Sequence, residues 1–202
     1  MKIILASTSP YRAQQLRDLG LRFSIMAPPF DEDAFKVHSP RLSPKELAKR
    51  LAYEKAMSVA RSLARTPDAV VIGADQLVSM AGQILGKPGN PATAERMLIK
   101  MQGRSHELIT SVCVVSVTHG KITAQQYVDI VKIKMRQLTR RQISRYVRRD
   151  RPYDCAGGYR FEKGGLALVK KMELRDPSSL IGLPIIDLIR MLSKFSDLEK
   201  LL

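Results

Sequence analysis

The sequence predicts an α/β protein, and three stretches carry that prediction. Residues 70–76, VVIGADQ, begin with apolar, mostly β-branched positions and no polar alternation, the pattern of a strand covered on both faces. Residues 2–6, KIILA, form a second apolar run that passes through Ser7, Thr8 and Ser9 into helical spacing. Residues 44–64 carry a long helical pattern behind a capping box. Strands that alternate with helices in this way belong to α/β folds.

The stretch 70–76 is also the strongest pointer to chemistry. Gly73 and Ala74 are small, so the backbone can be approached closely there. Asp75 follows at the carboxyl end of the expected strand, where open α/β sheets keep their ligands. It is a candidate catalytic acid–base group. Taken alone, an Asp at this place also reads as the start of a tight turn.

Composition bounds the rest. The 202 residues suffice for one domain, or one domain in two lobes, and 45% hydrophobic content supports a sizeable core. A formal net charge of +15 and a pI of about 10.1 favour a polyanionic partner: nucleic acid, an anionic membrane surface or a phosphorylated small molecule. Cys113 and Cys155 lack metal-type spacing, and His38, His106 and His119 are scattered, which excludes a zinc pattern. The opening MKIILASTSP has too short an apolar run for a signal peptide or a membrane span, so a soluble, cytoplasmic protein is expected.

Taken in order, the strand 2–6 leads to Ser9 as N-cap and Pro10 at the first helical position, with Leu16 and Leu19 spaced helically and Gly20 as the stop. The amides of such a helix start attract anions, and Arg12 lies in its first turn. A cation there opposes the helix dipole, a conflict that an incoming phosphate relieves; a simple capped helix with a solvated Arg12 is the equal alternative. Residues 21–27 are expected as a second strand, ended by Pro28 and Pro29. The acids Asp31, Glu32 and Asp33 follow, either as oxygen ligands for a divalent cation or as a solvated loop. The helix 44–64 is capped by Ser43 with Glu46 three residues on, and carries Lys55 mid-way.

After residues 70–76 a hairpin is expected from residues 77–80 and 83–85 around Gly82. Lys87 then sits in GKPG, a short stiff loop suited to a point-charge contact with phosphate. A helix over Pro91–Met101, strands over 106–117 and 124–135 joined at His119-Gly120, and a helix from Thr139 to Val147 follow. Basic residues crowd 132–151, as a solvated face or a nucleic-acid footprint. The glycine-rich stretch 153–165 holds one conspicuous acid, Glu162, and precedes a strand over 166–172, a helix over Ile185–Leu192 and a less ordered tail.

These pieces, in this order, resemble the Maf family of nucleoside triphosphate pyrophosphatases. The matching stretches are LASTSPYR, FDED, EKA, GADQ, LGKP, CAGGYRFE and LIGLP, and together they span nearly the whole chain. The resemblance implies one domain over 1–202, with a long mixed twisted sheet flanked by helices and two lobes around a central cleft, as in inosine triphosphatases. It implies hydrolysis between the α and β phosphates, with a divalent cation, Mg or Mn, as cofactor. Carried over by position, Asp75 matches the proton acceptor; Ser7, Arg12, Lys55 and Lys87 match the phosphate-binding residues, and Glu32, with Asp75, the metal ligands.

Within the family the chain is most similar to the YceF-type subfamily, whose members act on 7-methyl-GTP. Tyr11, Gln76 and Glu162 stand at the positions that separate this subfamily from relatives acting on dTTP and UTP. Methylation at N7 gives guanine a positive charge, which the face of Tyr11 attracts, and the Glu162 carboxylate can accept hydrogen bonds from guanine N–H groups. The chain departs from the family pattern at Gly158, Lys163 and Gly164, in the loop that shapes the base pocket. A preference for dTTP, UTP or another modified nucleotide is the first alternative. A non-catalytic RNA-binding protein using the basic stretch 132–151 is the second. A homodimer is left open, and no membrane partner is expected.

Overall fold

A computed structural model describes residues 2–39, 41–63 and 68–195. The fold is α/β. Seven strands form one mixed sheet: β1 (Lys2–Ala6), β2 (Ser24–Ile25), β3 (Ala69–Met80), β4 (Gln83–Leu85), β5 (Ser105–Thr118), β6 (Lys121–Met135) and β7 (Val169–Glu173). Their order is β2-β1-β3-β5-β6-β7, with β4 paired to β3. β1 runs parallel to β2 and β3, while β3–β4 and β6–β7 are antiparallel. Among the described residues six α-helices accompany the sheet: α1 (Pro10–Asp18), α2 (Glu32–His38), α3 (Pro44–Ser62), α4 (Pro91–Met101), α5 (Arg140–Asp150) and α6 (Ile185–Leu192). Among the described residues no helix is long and apolar enough to cross a membrane.

The chain divides into two compact units. The first comprises Met1–Asp75, Thr110–Asp129 and Asp176–Leu202. Its core explains the unbroken apolar runs. Alternate residues of β1, β3 and β5 point to opposite faces of the sheet. Leu5, Val70, Ile72, Val112 and Val114 pack with Leu16 of α1 and Leu188 of α6. Ile4, Ala6, Val71, Cys113 and Val115 pack with Ala52, Ala56 and Val59 of α3. Both faces of these strands are therefore buried. Burial also pushes the Cys113 thiol up to about 12, which makes it an inert core residue.

The second unit comprises Gln76–Ile109 and Ile130–Arg175. Its helices α4 and α5 pack on each other. The stretch 153–165 is not a free loop. The Arg160 amide donates to the Tyr146 hydroxyl of α5 at 2.9 Å, and the Gly164 amide donates to the Asp150 carboxylate at 2.8 Å. His106 on β5 bonds the hydroxyl of buried Tyr159 at 2.8 Å. Burial holds the His106 imidazole down at about 4, so it is neutral near pH 7.

The helix ends follow the capping residues. Ser43 and Glu46 close a full capping box on α3, Thr139 and Gln142 do the same on α5, and Ser9 caps α1. The β5–β6 turn places His119 at φ 49° and Gly120 at φ 75°, the two positive values that a tight hairpin requires.

Several expectations are corrected. The second strand is only Ser24–Ile25, not 21–27, since it adds a short exposed edge beside β1. Asp31–Asp33 is not a loop: Asp31 accepts from the Ala34 amide at 2.9 Å and starts α2, whose first turn suits acids. β3 does not end near Gln76 but continues to Met80, so Asp75 lies mid-strand rather than at a carboxyl end or in a turn. The strand expected over 166–172 is Val169–Glu173, because 164–168 form a 3₁₀ turn. The helix expected over 44–64 is described to Ser62, and Ala64 lies outside the described residues, as does most of the tail.

Candidate active site

Five of the side chains singled out in the sequence converge within the first unit. The scaffold is the parallel pair β1–β3, which ends at Ala6 opposite Gly73. One residue beyond Ala6 is Ser7, and two beyond Gly73 is Asp75; Arg12 links them, since it donates to Ser7 and feels the charge of Asp75. Along β3, alternation sends Asp75 to the same face as Val71 and Gly73, toward α3.

Gly73 sets how near α3 comes. A Cβ at this glycine would lie 2.6 Å from the Ala56 amide nitrogen and would collide with the Ala52 carbonyl. Only a glycine lets the helix backbone rest on the strand there. Ala52 and Ala56, both fully buried, keep the approach close, and Lys55 lies between them in sequence.

Lys55 joins two carboxylates. Its Nζ is 2.6 Å from Asp75 Oδ1 and 2.6 Å from Glu32 Oε2. The other Glu32 oxygen, Oε1, accepts from Lys36 one turn along α2. Burial works against the charge on Glu32, but the attraction and hydrogen bonds of Lys55 and Lys36 outweigh it and hold the carboxyl at about 2. Asp75 is only 4% exposed, and its Oδ2 is buried without a hydrogen-bond partner among the described residues. Such an orphaned acceptor is costly in a fold that needs nothing from it.

Arg12 stands within the field of both carboxylates. Its Nη1 donates to Ser7 Oγ at 3.3 Å and its Nε to the Gly182 carbonyl at 3.1 Å. Burial lowers the Arg12 pKa, and the negative charges of Asp75 and Glu32 counter that effect. The Gly182 carbonyl is held in place by neighbours. Gln15 donates to the Ser178 and Leu183 carbonyls at 2.9 and 3.4 Å, and Asp176 accepts from the Ser178 and Ile186 amides, each at 2.9 Å.

The remaining sequence candidates fall as follows. Tyr11 is half-buried in the first turn of α1, next to Arg12. Lys87, Gln76 and Glu162 belong to the second unit. Gln76 is half-buried on β3, directly after Asp75. Lys87 is exposed on the loop after β4. This loop is tied to the glycine-rich stretch: Gly157 donates to the Gly86 carbonyl at 3.2 Å and Gly89 to the Tyr153 carbonyl at 2.9 Å. Glu162 is exposed in a turn of that stretch. Asp31 is occupied as the cap of α2.

Four residues of this neighbourhood escaped the sequence reading: Gln15, Lys36, Asp176 and Gly182. Lys36 carried a signal, since it stands four residues after Glu32 on a helix. Asp176 before Pro177 carried a capping signature. Gly182 stands in the LIGLP stretch but nothing there pointed to its carbonyl, and Gln15 carried no signal, because their roles rest on contacts across 163 to 170 residues of sequence.

The donor set bears on a metal. Among the described residues no group of three or more His, Cys, Asp or Glu side chains clusters as a complete cage. Glu32 and Asp75 supply hard oxygens, one of them unpartnered, which suits a cation whose coordination a ligand's phosphates complete.

Comparison with known proteins agrees with the motifs. The model of the family described as Maf-like protein matches residues 2–195. The chain belongs to the Maf-like family. A Bdellovibrio bacteriovorus protein named 7-methyl-GTP pyrophosphatase is 44% identical over 191 residues, covering 95% of each chain. Proteins of the same name from Albidiferax ferrireducens and Nitrosococcus oceani are 44% and 40% identical, each covering 95% of this chain and 92% of its own. The Maf-like match includes every residue of the Ser7–Arg12–Glu32–Lys55–Asp75 cluster.

Proposed function

We propose that this protein is a nucleoside triphosphate pyrophosphatase that hydrolyses 7-methyl-GTP to 7-methyl-GMP and pyrophosphate. The observation that carries the reading is the shared Lys55, with Glu32 and Asp75 on either side and Arg12 within their field. This is a compact set of fixed charges of both signs, as phosphoryl transfer needs. The names of full-length relatives at 40–44% identity supply the substrate.

In this reading Asp75 is the general base. Its unpartnered Oδ2 takes the proton of a water whose oxygen bonds the α-phosphorus, while the bond from that phosphorus to the bridging oxygen breaks and its electrons leave with pyrophosphate. Arg12, Lys55 and Lys87 offset the triphosphate charge, and Ser7 orients Arg12. Glu32 and Asp75 would hold a divalent cation, Mg or Mn, which supplies further charge neutralisation at the phosphates. Tyr11 offers a ring face to the cationic base, Glu162 accepts from the guanine N–H groups, and Gln76 contributes to base selection. The chain acts as one domain over 1–202, in the cytoplasm.

A substrate panel with purified protein and Mg or Mn tests this. The expected result is pyrophosphate release with the highest kcat/KM on 7-methyl-GTP. A higher kcat/KM on dTTP or UTP overturns the substrate, and absence of hydrolysis of any nucleotide overturns the enzyme reading. Glu162→Gln should lower kcat/KM for 7-methyl-GTP more than for GTP.

A further inference from the structure

The net charge of +15 is distributed unevenly, and the cluster described above does not account for it. The second unit carries eighteen lysines and arginines against six acids, a net of +12 of the chain's +15. Part of this excess lies on α5, whose sequence is RRQISRYVRRD. The helix packs through Ile143, Tyr146, Val147 and Asp150, all buried. Arg141, Arg145 and Arg148 stand at i, i+4 and i+7, on the opposite face, and all three are exposed.

Folding does not explain this stripe. Arg149 is used internally, since it pairs with Asp150 and lies 5.7 Å over the Tyr146 ring. Arg141, Arg145 and Arg148 make no ion pair among the described residues. Like charges at these helical spacings repel. Arg140 and Arg141 also occupy a first turn with no acid, where cations oppose the helix dipole. The helix thus carries an unfavourable charge arrangement that an external polyanion would relieve.

We propose that the Arg141–Arg145–Arg148 face of α5 docks on the phosphate backbone of duplex DNA. The apolar side of α5 is already buried in the unit, so the helix has no free apolar face to insert into a lipid surface. The stripe offers no exposed aromatic side chain, so it lacks the stacking platform of single-strand binders. A surface of cations alone favours the polymer with the highest charge density, a duplex. A helix face fits the wide major groove of B-form DNA, whereas the major groove of A-form RNA is too narrow to admit it. The contact is independent of sequence, because it reads phosphates only.

The test is fluorescence anisotropy with a labelled duplex DNA of about 20 base pairs, titrated between 50 and 200 mM NaCl. The wild-type protein is compared with R141Q/R145Q/R148Q and with R17Q/R41Q/R61Q, which removes the same charge from exposed arginines of the first unit. Far-UV circular dichroism confirms that each variant is folded. The expected result is at least tenfold weaker binding for the α5 variant at 50 mM NaCl, with a log–log salt slope shallower by about 2 to 3, and little change for the control variant. Equal weakening by both variants, or no change in either, overturns the proposal. So does tighter binding to single-stranded DNA, to duplex RNA or to phosphatidylserine vesicles than to duplex DNA.

Discussion

Nζ of Lys55 lies 2.6 Å from Oδ1 of Asp75, across the contact that Gly73 opens between α3 and β3. Both side chains are largely buried, at 12% and 6% exposure. Removing one partner of such a pair leaves a buried charge uncompensated. Lys55→Met should destabilise the protein by about 3 kcal/mol in urea unfolding. Asp75→Asn keeps a polar group of the same shape but removes the base, so kcat should fall by about a hundredfold or more. Wild-type turnover in the Asp75→Asn enzyme would remove Asp75 from the catalytic step.

Glu32 makes stability depend on acid. Its carboxyl sits at about 2 in the folded protein against an ordinary 4.5. A depressed carboxyl pKa contributes stability that is fully present above the unfolded value and disappears as pH falls through the folded one. The wild type should therefore lose stability relative to Glu32→Gln between about pH 4.5 and 2, and the two should run parallel above that window. Because Glu32 is a third exposed, the difference should shrink as salt is raised. Melting temperatures of both proteins across pH check this.

His106 titrates in a different window. Its folded pKa of about 4 lies below the ordinary 6.5, because burial disfavours the imidazolium. The unfolded chain then binds more protons between these values, so stability should fall as pH drops from about 6.5 to 4. A loss of roughly 2–4 kcal/mol across that range is expected. His106→Gln should flatten the slope in urea titrations at fixed pH.

Gly73→Ala tests the close approach directly. The added methyl meets the Ala52 carbonyl and the Ala56 amide, backbone groups that move only with the helix. Destabilisation of about 2 kcal/mol or more is expected. Because α3 carries Lys55, kcat/KM should also fall, more than it does for a destabilised core variant away from this contact, such as Ile109→Val.

Gln15→Ala should separate positioning from chemistry. Gln15 supports the Ser178 and Leu183 carbonyls, and Gly182, beside Leu183, accepts from Arg12. Its loss should raise KM for the nucleotide several-fold while leaving the pH profile of kcat unchanged. A shift in that profile would instead assign Gln15 to the reacting groups.

Much of this molecule is legible in its residue order. The unbroken apolar runs of β1 and β3, the capping boxes at Ser43 and Thr139, and the stops at Gly20 and His119-Gly120 are local signals, and the elements they predict are present. The motif series pointed to Ser7, Arg12, Glu32, Lys55 and Asp75 without any knowledge of the fold. Local patterns failed where pairing or packing decides. The edge strand β2 pairs with only Ile4 and Leu5 of β1, and β3 continues past Asp75 because β4 pairs with its far end. Gln15 and Gly182 gain meaning only from contacts between distant parts of the chain. Sequence alone determined which side chains carry charge and where the long strands and capped helices lie, since capping, periodicity and turn geometry act over a few residues. Tertiary structure alone decided that one ammonium serves two carboxylates and that one aspartate oxygen stays unpartnered, because those relations depend on strand register and on how closely a helix rests on the sheet.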